Sequence, residues 1–206
     1  MNASDVTFAV LNFNGRALLE QLLPTIFAQT AGGFDILVVD NGSTDDSATW
    51  LAAHHPAVWV VRLPENIGVT RALNVAVASC ATPYVALLNN DIELTPTWLA
   101  EMRQALEDFP GAASADGKLL NFHRRGELDG AGDLIAVTGE CSKRGFGQAD
   151  AGQYDTPAPI LCASGGAALY RTQAFADVGP FDATYGAYYE DTDWGLRAFL
   201  RGHSCR

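Results

Sequence analysis

YVALLNND, at residues 84–91, is an apolar run that ends in two amides and a carboxylate. The apolar part predicts a buried strand, and Asn89, Asn90 and Asp91 follow at the point where that strand ends. Ligands of open α/β sheets bind in the crevice outside the carboxyl ends of the strands. A carboxylate at such an edge can hold a hard divalent cation, which can in turn hold phosphates. We therefore expect a site of this kind at Asp91.

The rest of the first half alternates apolar runs with helical patterns. Strands are predicted at residues 6–11, 34–39, 58–61 and 84–88, and helices at 18–27, around 50–51, at 73–77 and from 96 to about 108. This order predicts βαβ units and a mainly parallel sheet with helices on both faces. Pro24 is expected to kink the first helix or to mark its first turn. Ser43 or Thr44 is the expected N-cap of the second helix.

The second half of the chain is less regular. Residues 120–157 are rich in Gly, Asp and Arg and have weak periodicity. Loops of this length are usually functional or disordered, so we interpret the segment as long loops or an excursion over the ligand-binding edge. Helical spacing returns at residues 191–201.

Composition narrows the functional class. The 206 residues are 48% hydrophobic and 18% charged, as in an ordinary soluble globular domain. The net charge of −11 disfavours a nucleic-acid partner. The four cysteines form no C-x-x-C pair, which predicts neither a zinc site nor a disulfide framework. Because the sequence shows neither a secretory signal nor a membrane-spanning run, we expect a cytoplasmic protein.

Two further groups of acids stand out. Asp40 follows the second predicted strand and would line the same sheet edge as Asp91, although Asp is also common after strands as a turn or cap residue. YYEDTDW at residues 188–194 has three acids among aromatic residues. Acids at a helix N-terminus interact favourably with the macrodipole, which explains Glu190 or Asp193 but not the crowding of aromatic side chains.

Seven segments, taken in order, resemble family 2 glycosyltransferases of the GT-A fold. They are VLNFNG at 10–15, VVDNGSTD at 38–45, ENIG at 65–68 with Arg71 and Asn74, LNND at 88–91, GGA at 165–167, GPFD at 179–182 and YEDTDW at 189–194 with Arg197. The LNND and EDTDW versions are most similar to the bacterial rhamnosyltransferase-like branch. The resemblance implies an inverting transfer of sugar from a nucleotide-diphosphate sugar to a hydroxyl of a glycan or lipid-linked acceptor, as in cell-wall or polysaccharide biosynthesis.

The resemblance assigns the nucleotide base to three positions. Leu11 would meet the base through its backbone, and Phe13 would stack on it, with a core aromatic as the alternative role for Phe13. Asp40 would accept a hydrogen bond from the ring N–H of the base. Uracil, thymine and guanine all offer such an N–H, so the donor could be of the dTDP, UDP or GDP type.

The rest of the donor site is assigned in the same way. Asn66 and Gly68 would shape the loop near the nucleotide, and Arg71 would add positive charge there or, alternatively, form a salt bridge on a helix face. Asn90 would approach the ribose or the sugar. Asp91 would coordinate Mg²⁺ or Mn²⁺ on the diphosphate and so neutralise charge on the leaving group.

The acceptor side falls in the second half. Asp191 would be the catalytic base that takes the proton of the attacking hydroxyl. Glu190 would orient the acceptor or the Asp191 loop. Gly165 and Gly166 would let the backbone approach the sugar or the acceptor closely. We therefore expect one GT-A domain over residues 1–206, with a nucleotide-binding half at 1–118 and an acceptor-binding half at 119–206.

Two departures from the family pattern affect these expectations. Asn89 and Asn90 stand where the family often has Asp, so we expect weak intrinsic metal affinity and metal binding mainly together with the diphosphate. Family members usually continue with another strand and often a histidine, so we expect the chain to be truncated at its C-terminus.

Three alternatives follow. A truncated chain could be a nucleotide-sugar-binding domain without full transfer activity. A nucleotidyltransferase would need a Gly-rich basic loop after the first strand, and a dehydrogenase would need a G-x-G-x-x-G motif. The sequence has neither feature.

A lipid-linked acceptor would be compatible with peripheral contact at the inner face of the membrane.

Overall fold

The computed structural model describes residues 4–206 and is built around a seven-stranded sheet. The strands are β1 Val6–Asn12, β2 Phe34–Asp40, β3 Trp59–Arg62, β4 Tyr84–Asn89, β5 Ala112–Asp116, β6 Leu119–Leu120, β7 Leu128–Gly130, β8 Asp133–Ile135, β9 Cys141–Lys143, β10 Ala167–Arg171 and β11 Ser204–Cys205. The helices are α1 Arg16–Phe27, α2 Ser47–His54, α3 Val69–Ala78, α4 Trp98–Asp108, α5 Thr172–Val178 and α6 Glu190–Leu200, with a short 3-10 helix at Ala183–Tyr185.

The sheet has the strand order β11-β5-β10-β4-β1-β2-β3. Every neighbouring pair is parallel except the two made by β10, which is antiparallel to both β4 and β5. The prediction of a mainly parallel α/β sheet is therefore confirmed. The four strands predicted in the first half all form, and they lie together on one side of the sheet.

Helices cover both faces of the sheet, as predicted. Successive side chains of a strand point to opposite faces. Phe8 and Val10 belong to the cluster that contains the buried residues of α1 and α4, whereas Ala9 belongs to the cluster formed with α3, α5 and α6. Because both faces are covered, β1 is almost continuously apolar, as is usual for buried parallel strands.

One local prediction about a helix end is not met, and one of the two alternatives for Pro24 is excluded. Asp46, rather than Ser43 or Thr44, is the N-cap residue of α2. Ser43 and Thr44 instead bond to Asn14 on the neighbouring loop, so they tie two loops together before the helix begins. Pro24 lies inside α1, close to its end, and does not mark its first turn.

The second half contains more regular structure than the sequence pattern indicated. Residues 119–143 form two small antiparallel hairpins, β6–β7 and β8–β9. Strands β5 and β10 extend the central sheet. Because β10 runs antiparallel to β4, it begins where β4 ends: Asn89 N–H donates to Gly166 O at 3.0 Å. The second half therefore reaches the same edge of the sheet as Asp91.

The domain boundaries proposed from the sequence stay a prediction, and residues 1–3 of that range lie outside the described residues. Within residues 4–206, none of the helices combines the length and hydropathy that crossing a bilayer requires.

Helix α6 packs unusually closely on the segment before β10. A Cβ added to Gly195 would lie 2.1 Å from Cys162 Cβ and 3.0 Å from Leu161 O. Only glycine fits at this contact, because part of what a larger residue would meet is backbone that cannot move aside. The contact fixes the distance between α6 and the residues that lead to Gly165.

We predict that Gly195→Ala lowers stability although alanine favours helix formation. Overpacking of this kind costs about 1–3 kcal/mol, which corresponds to a fall in Tm of about 2–4 °C per kcal/mol for a chain of this size. Thermal unfolding followed by circular dichroism measures the change. Gly111→Ala is the matched control, because an added Cβ there meets nothing within 4 Å. Equal Tm values for the two variants would contradict the prediction.

Candidate active site

A cleft of about 840 Å³ opens at the carboxyl edge of the sheet. Its walls come from the ends of β1 and β4, the start of β10, the β8–β9 hairpin and the N-terminus of α6. The site residues predicted from sequence that line it are Leu11, Phe13, Asn90, Asp91, Gly165, Gly166, Glu190 and Asp191. The structure therefore brings the donor-side and acceptor-side candidates together, although they come from distant parts of the chain.

The cleft lining combines apolar and polar side chains. The apolar ones include Leu11, Phe13, Leu18, Val69 and Leu73. Phe13 is 46% exposed and does not belong to either core cluster, so its ring is available to a flat partner. This observation disfavours the alternative in which Phe13 is a core aromatic.

Asp40 does not line the cleft but lies beneath its edge. It is fully buried, and its Oδ1 accepts the Ser43 N–H at 3.2 Å. Its Oδ2 is buried without a hydrogen-bond partner among the described residues, and Arg62 Nε lies 3.7 Å away. A buried carboxylate oxygen without a hydrogen-bond donor is suited to an N–H group of a ligand. A nucleotide base could reach this oxygen only if the covering side chains move.

Asn66, Gly68 and Arg71 also lie outside the cleft lining. Asn66 Oδ1 accepts the Gly68 N–H at 2.9 Å, and the buried Asn41 holds this loop by donating to Asn66 Oδ1 and accepting the Ile67 N–H. Asn66 thus shapes its own loop, and its role near the nucleotide stays a prediction. Arg71 is exposed on α3 and forms no salt bridge within residues 4–206.

The side chain of Asn12, which the sequence reasoning left without a role, connects the strand ends. Asn12 is fully buried at the end of β1. Its Oδ1 accepts a hydrogen bond from Asn90 Nδ2 at 2.9 Å, and its Nδ2 donates to Ser43 Oγ at 3.3 Å. A Cβ at Gly15 would lie 2.1 Å from Asn90 Nδ2. The amide of Asn12 therefore orients Asn90, which precedes Asp91.

Asp91 is exposed at the mouth of the cleft, and no salt bridge involves it within the described residues. Asn89 and Asn90 offer amide oxygens beside it. In residues 4–206 no group of three or more His, Cys, Asp or Glu side chains could hold a metal ion. One carboxylate fits Mg²⁺, which proteins often bind through one or two carboxylates together with water and substrate phosphates.

Asp191 lies in the first turn of α6 and is held on both carboxylate oxygens. Oδ2 accepts the Gly165 N–H at 2.7 Å, and Oδ1 accepts the Thr192 N–H at 2.7 Å. A Cβ at Gly165 would lie only 3.1 Å from Asp191 Oδ2, so glycine permits this approach. The contact gives Gly165 a specific role in orienting Asp191.

Glu190 and two tyrosines complete this end of the cleft. Glu190 is 6% exposed, its Oε2 has no hydrogen-bond partner among the described residues, and burial raises its pKa. Tyr188 and Tyr189, immediately before α6, have φ angles of 69° and 66°. Left-handed backbone at non-glycine residues is costly and is often found at functional sites. This geometry exposes both rings at the cleft.

Sequence reasoning missed two acids near Asp191. Asp116 ends β5 and accepts the Ser164 N–H at 2.9 Å, and burial raises its pKa to about 8. Asp133 begins β8 and lines the cleft; burial and then the charge of Asp191 raise its pKa to about 6. Asp116 follows an Ala-Ala-Ser-Ala run that lacks the pattern of a predicted strand, so the strand-end position that identified Asp40 and Asp91 could not identify it. Asp133 lies in the irregular segment, where no such signal existed.

Comparison with known proteins identifies the relatives of this chain. The family model described as glycosyl transferase family 2 matches residues 7–179. A Mycobacterium tuberculosis protein named N-acetylglucosaminyl-diphospho-decaprenol L-rhamnosyltransferase is 26% identical over 200 residues, which cover 87% of this chain and 65% of the relative.

Solved glycosyltransferase structures share the fold. A Pyrobaculum calidifontis mannosyltransferase in complex with GDP-Man and Mn²⁺ superposes with a TM-score of 0.70 at 17% identity, over 100% of this chain and 55% of that one. The S. aureus TarS structure in complex with UDP gives a TM-score of 0.68 at 18% identity, over 98% and 57%. These similarities confirm the GT-A fold. The chain spans less than two thirds of the length of each of these three proteins.

We predict that Asn12→Ala and Asn90→Ala are energetically coupled. Loss of one partner leaves a buried polar group unsatisfied, at a cost of about 1–3 kcal/mol, and residues in contact typically couple by about 0.5–3 kcal/mol. A double-mutant cycle from denaturant unfolding measures this coupling. Asn12→Ala combined with Asn74→Ala is the control, because Asn74 bonds to Phe181 and shares no partner with Asn12. Additive effects in the first cycle would contradict the assigned contact.

We predict that Asp116 makes the fold less stable as pH rises. Its folded pKa of about 8 lies above the ordinary value of 3.8, so the folded state holds a proton that the unfolded state releases between these values. The contribution of Asp116 to stability should be fully present below the ordinary pKa and should be lost as pH rises through about 8. Asp116→Asn should flatten this dependence in Tm measurements between pH 5 and 9, and Glu107→Gln, at an exposed position of α4, should leave it unchanged.

Proposed function

The chain belongs to glycosyl transferase family 2, and from that membership we propose that it transfers a sugar from a nucleotide-diphosphate sugar to an acceptor hydroxyl with inversion at the anomeric carbon. The observation that carries the proposal is that one cleft contains both the exposed Asp91 and the doubly hydrogen-bonded Asp191. The first is suited to the diphosphate end of a donor and the second to an acceptor hydroxyl.

The donor would occupy the part of the cleft formed by β1 and β4. The base would lie against Phe13 and the backbone of Leu11, and the sugar diphosphate would extend toward Asn90 and Asp91. A divalent cation bound at Asp91 would neutralise charge on the diphosphate leaving group. Mg²⁺ and Mn²⁺ both suit these oxygen ligands. Asn12 supports this arrangement by fixing Asn90.

The acceptor would enter from the α6 side. Its hydroxyl oxygen attacks the anomeric carbon from the face opposite the diphosphate, the bond between that carbon and the diphosphate oxygen breaks, and Asp191 takes the hydroxyl proton. Gly165 and Thr192 fix the carboxylate, so little reorientation is needed during transfer. Glu190, buried beside it with a free Oε2, is placed to accept from a second acceptor hydroxyl.

The acceptor class proposed is a glycan or a lipid-linked sugar. The name of the M. tuberculosis relative describes a lipid-diphosphate sugar as its acceptor, and this supports testing that class first. For the donor, the neighbours were solved with GDP-Man and with UDP, so both guanine and uracil nucleotides belong in the test together with dTDP-rhamnose. The buried Asp40 would serve either base through a ring N–H.

We predict that Asp191→Asn lowers transfer about 10²–10⁴-fold, the usual contribution of a general base, and leaves nucleotide binding intact. Asp91→Ala should instead weaken metal-dependent nucleotide binding. Calorimetry with UDP, GDP and dTDP in Mg²⁺ or Mn²⁺, followed by transfer assays with the corresponding sugars, measures both effects. Asp193→Asn is the control, because that carboxylate pairs with Arg197 at 2.8 Å and does not line the cleft.

Three outcomes decide between the alternatives. Full transfer by Asp191→Asn would remove Asp191 as the base. Metal-dependent nucleotide binding without transfer to any acceptor by the unmodified chain would favour the nucleotide-sugar-binding alternative. Nucleotide binding that is unaffected by metal or by Asp91→Ala would exclude the metal site.

A further inference from the structure

The β8–β9 hairpin is held firmly against the segment that precedes β10. Asp133 N–H donates to Cys162 O at 3.2 Å, and Leu161 N–H donates to Asp133 O at 3.3 Å. Gly165, which orients Asp191, lies only a few residues further along the same segment. The backbone of Asp133 is therefore fixed relative to Asp191, although the two residues come from a hairpin and a helix that are far apart in sequence.

The carboxylate of Asp133 lines the cleft and lacks a donor. Its Oδ1 is buried and has no hydrogen-bond partner in the described part of the chain. A buried oxygen that accepts no hydrogen bond costs free energy. Such an oxygen is therefore usually bonded to a water molecule or a ligand, or has a functional role. Glu190, which is 6% exposed and lines the same cleft from α6, also has an unpaired buried oxygen, Oε2. Among the acids that line the cleft, Asp133 and Glu190 therefore each have an unpaired buried oxygen, on two different elements; Asp116 Oδ1 is also unpaired but lies outside the lining.

The charges around Asp133 are consistent with a binding role. Asp191 raises its pKa, and Lys143 on β9 lowers it. Asp129 on β7 also raises it but is paired with Lys143 at 2.9 Å. Asp116 on β5 lies close enough that Asp133 contributes to its raised pKa. Asp133 is thus the acid of this group that both faces the cleft and lacks a side-chain partner.

We propose that Asp133 is a positioning residue for the acceptor: its carboxylate accepts a hydrogen bond from an acceptor hydroxyl next to the one that Asp191 deprotonates. The inference rests on the proposed function and deepens it, because it assigns the acceptor a second free hydroxyl and therefore a sugar or other polyol at the reacting end. The acceptor is favoured over the donor because Asp133 is attached to the Gly165 segment, whereas the donor candidates Asn90 and Asp91 follow β4.

The test compares Asp133→Ala with Asp133→Asn. The donor is the sugar derivative of the nucleotide that binds in the calorimetry with UDP, GDP and dTDP. The acceptors are short-chain diphospho-lipids carrying N-acetylglucosamine, glucose, galactose or mannose. Loss of a hydrogen bond to a charged group is worth about 1.5–3 kcal/mol, so Asp133→Ala should raise the acceptor KM about 10- to 150-fold. Donor KM and donor hydrolysis in water should change less than about twofold. The amide oxygen of Asp133→Asn can still accept, so that variant should recover part of the loss.

Glu140→Ala is the matched control, because it removes an exposed carboxylate from the turn of the same hairpin, outside the cleft. It should leave every constant unchanged. An unchanged acceptor KM in Asp133→Ala would overturn the inference, as would parallel losses of donor hydrolysis, transfer and Tm, which would indicate a structural role. Failure of the unmodified chain to transfer to any acceptor would instead overturn the proposed function, and the inference with it.

Discussion

The buried amide of Asn12 is the interaction on which the functional edge of this protein depends. Strand β1 lies between β2 and β4, and Asn12 ends β1 with its side chain between the loops that follow both neighbours. Because the residue is fully buried, neither of its hydrogen bonds can be replaced by bulk water. Ser43 on one side and Asn90 on the other are therefore held in fixed relation. The position of Asp91 follows from this, since it is the next residue after Asn90.

The second half of the chain reaches that edge because β10 reverses direction. A parallel strand beside β4 would begin at the opposite edge, whereas antiparallel β10 begins at Ala167, directly after Gly166, whose carbonyl accepts the Asn89 N–H. The segment that leads into β10 then carries Gly165 to Asp191 on α6. The missing side chain of Gly195 sets the spacing of this contact. A backbone approach that only glycine permits, at Gly195, and a close approach at Gly165 thus bring the predicted base into the same cleft as the predicted metal ligand.

The sequence predicted those elements whose burial follows from a periodic hydrophobic pattern, and it predicted the other elements and contacts less well. The four strands of the first half were predictable because each is a compact apolar run between helical patterns. Strand β5 was not, since its Ala-Ala-Ser-Ala core lacks the β-branched residues typical of strands. Asp91, expected from its position at a strand end, and Asp191, assigned through the family resemblance, both line the cleft. Packing between distant segments determines other features, and no local sequence pattern encodes it. These features are the full burial of Asp40, the exposure of Arg71 and the unpaired oxygen of Asp133.

The charge of the cleft gives a physical reason to expect metal dependence. Its ionisable lining consists of Asp91, Asp129, Asp133, Glu190 and Asp191 against Lys143 as the single cation. A diphosphate entering such a cleft meets repulsion, which low dielectric surroundings strengthen. Burial raises the pKa values of Asp133 and Glu190, but both of these acids lie on the acceptor side. At the mouth, Asp91 remains as an exposed carboxylate, and a divalent cation shared between it and the diphosphate would convert the repulsion there into attraction.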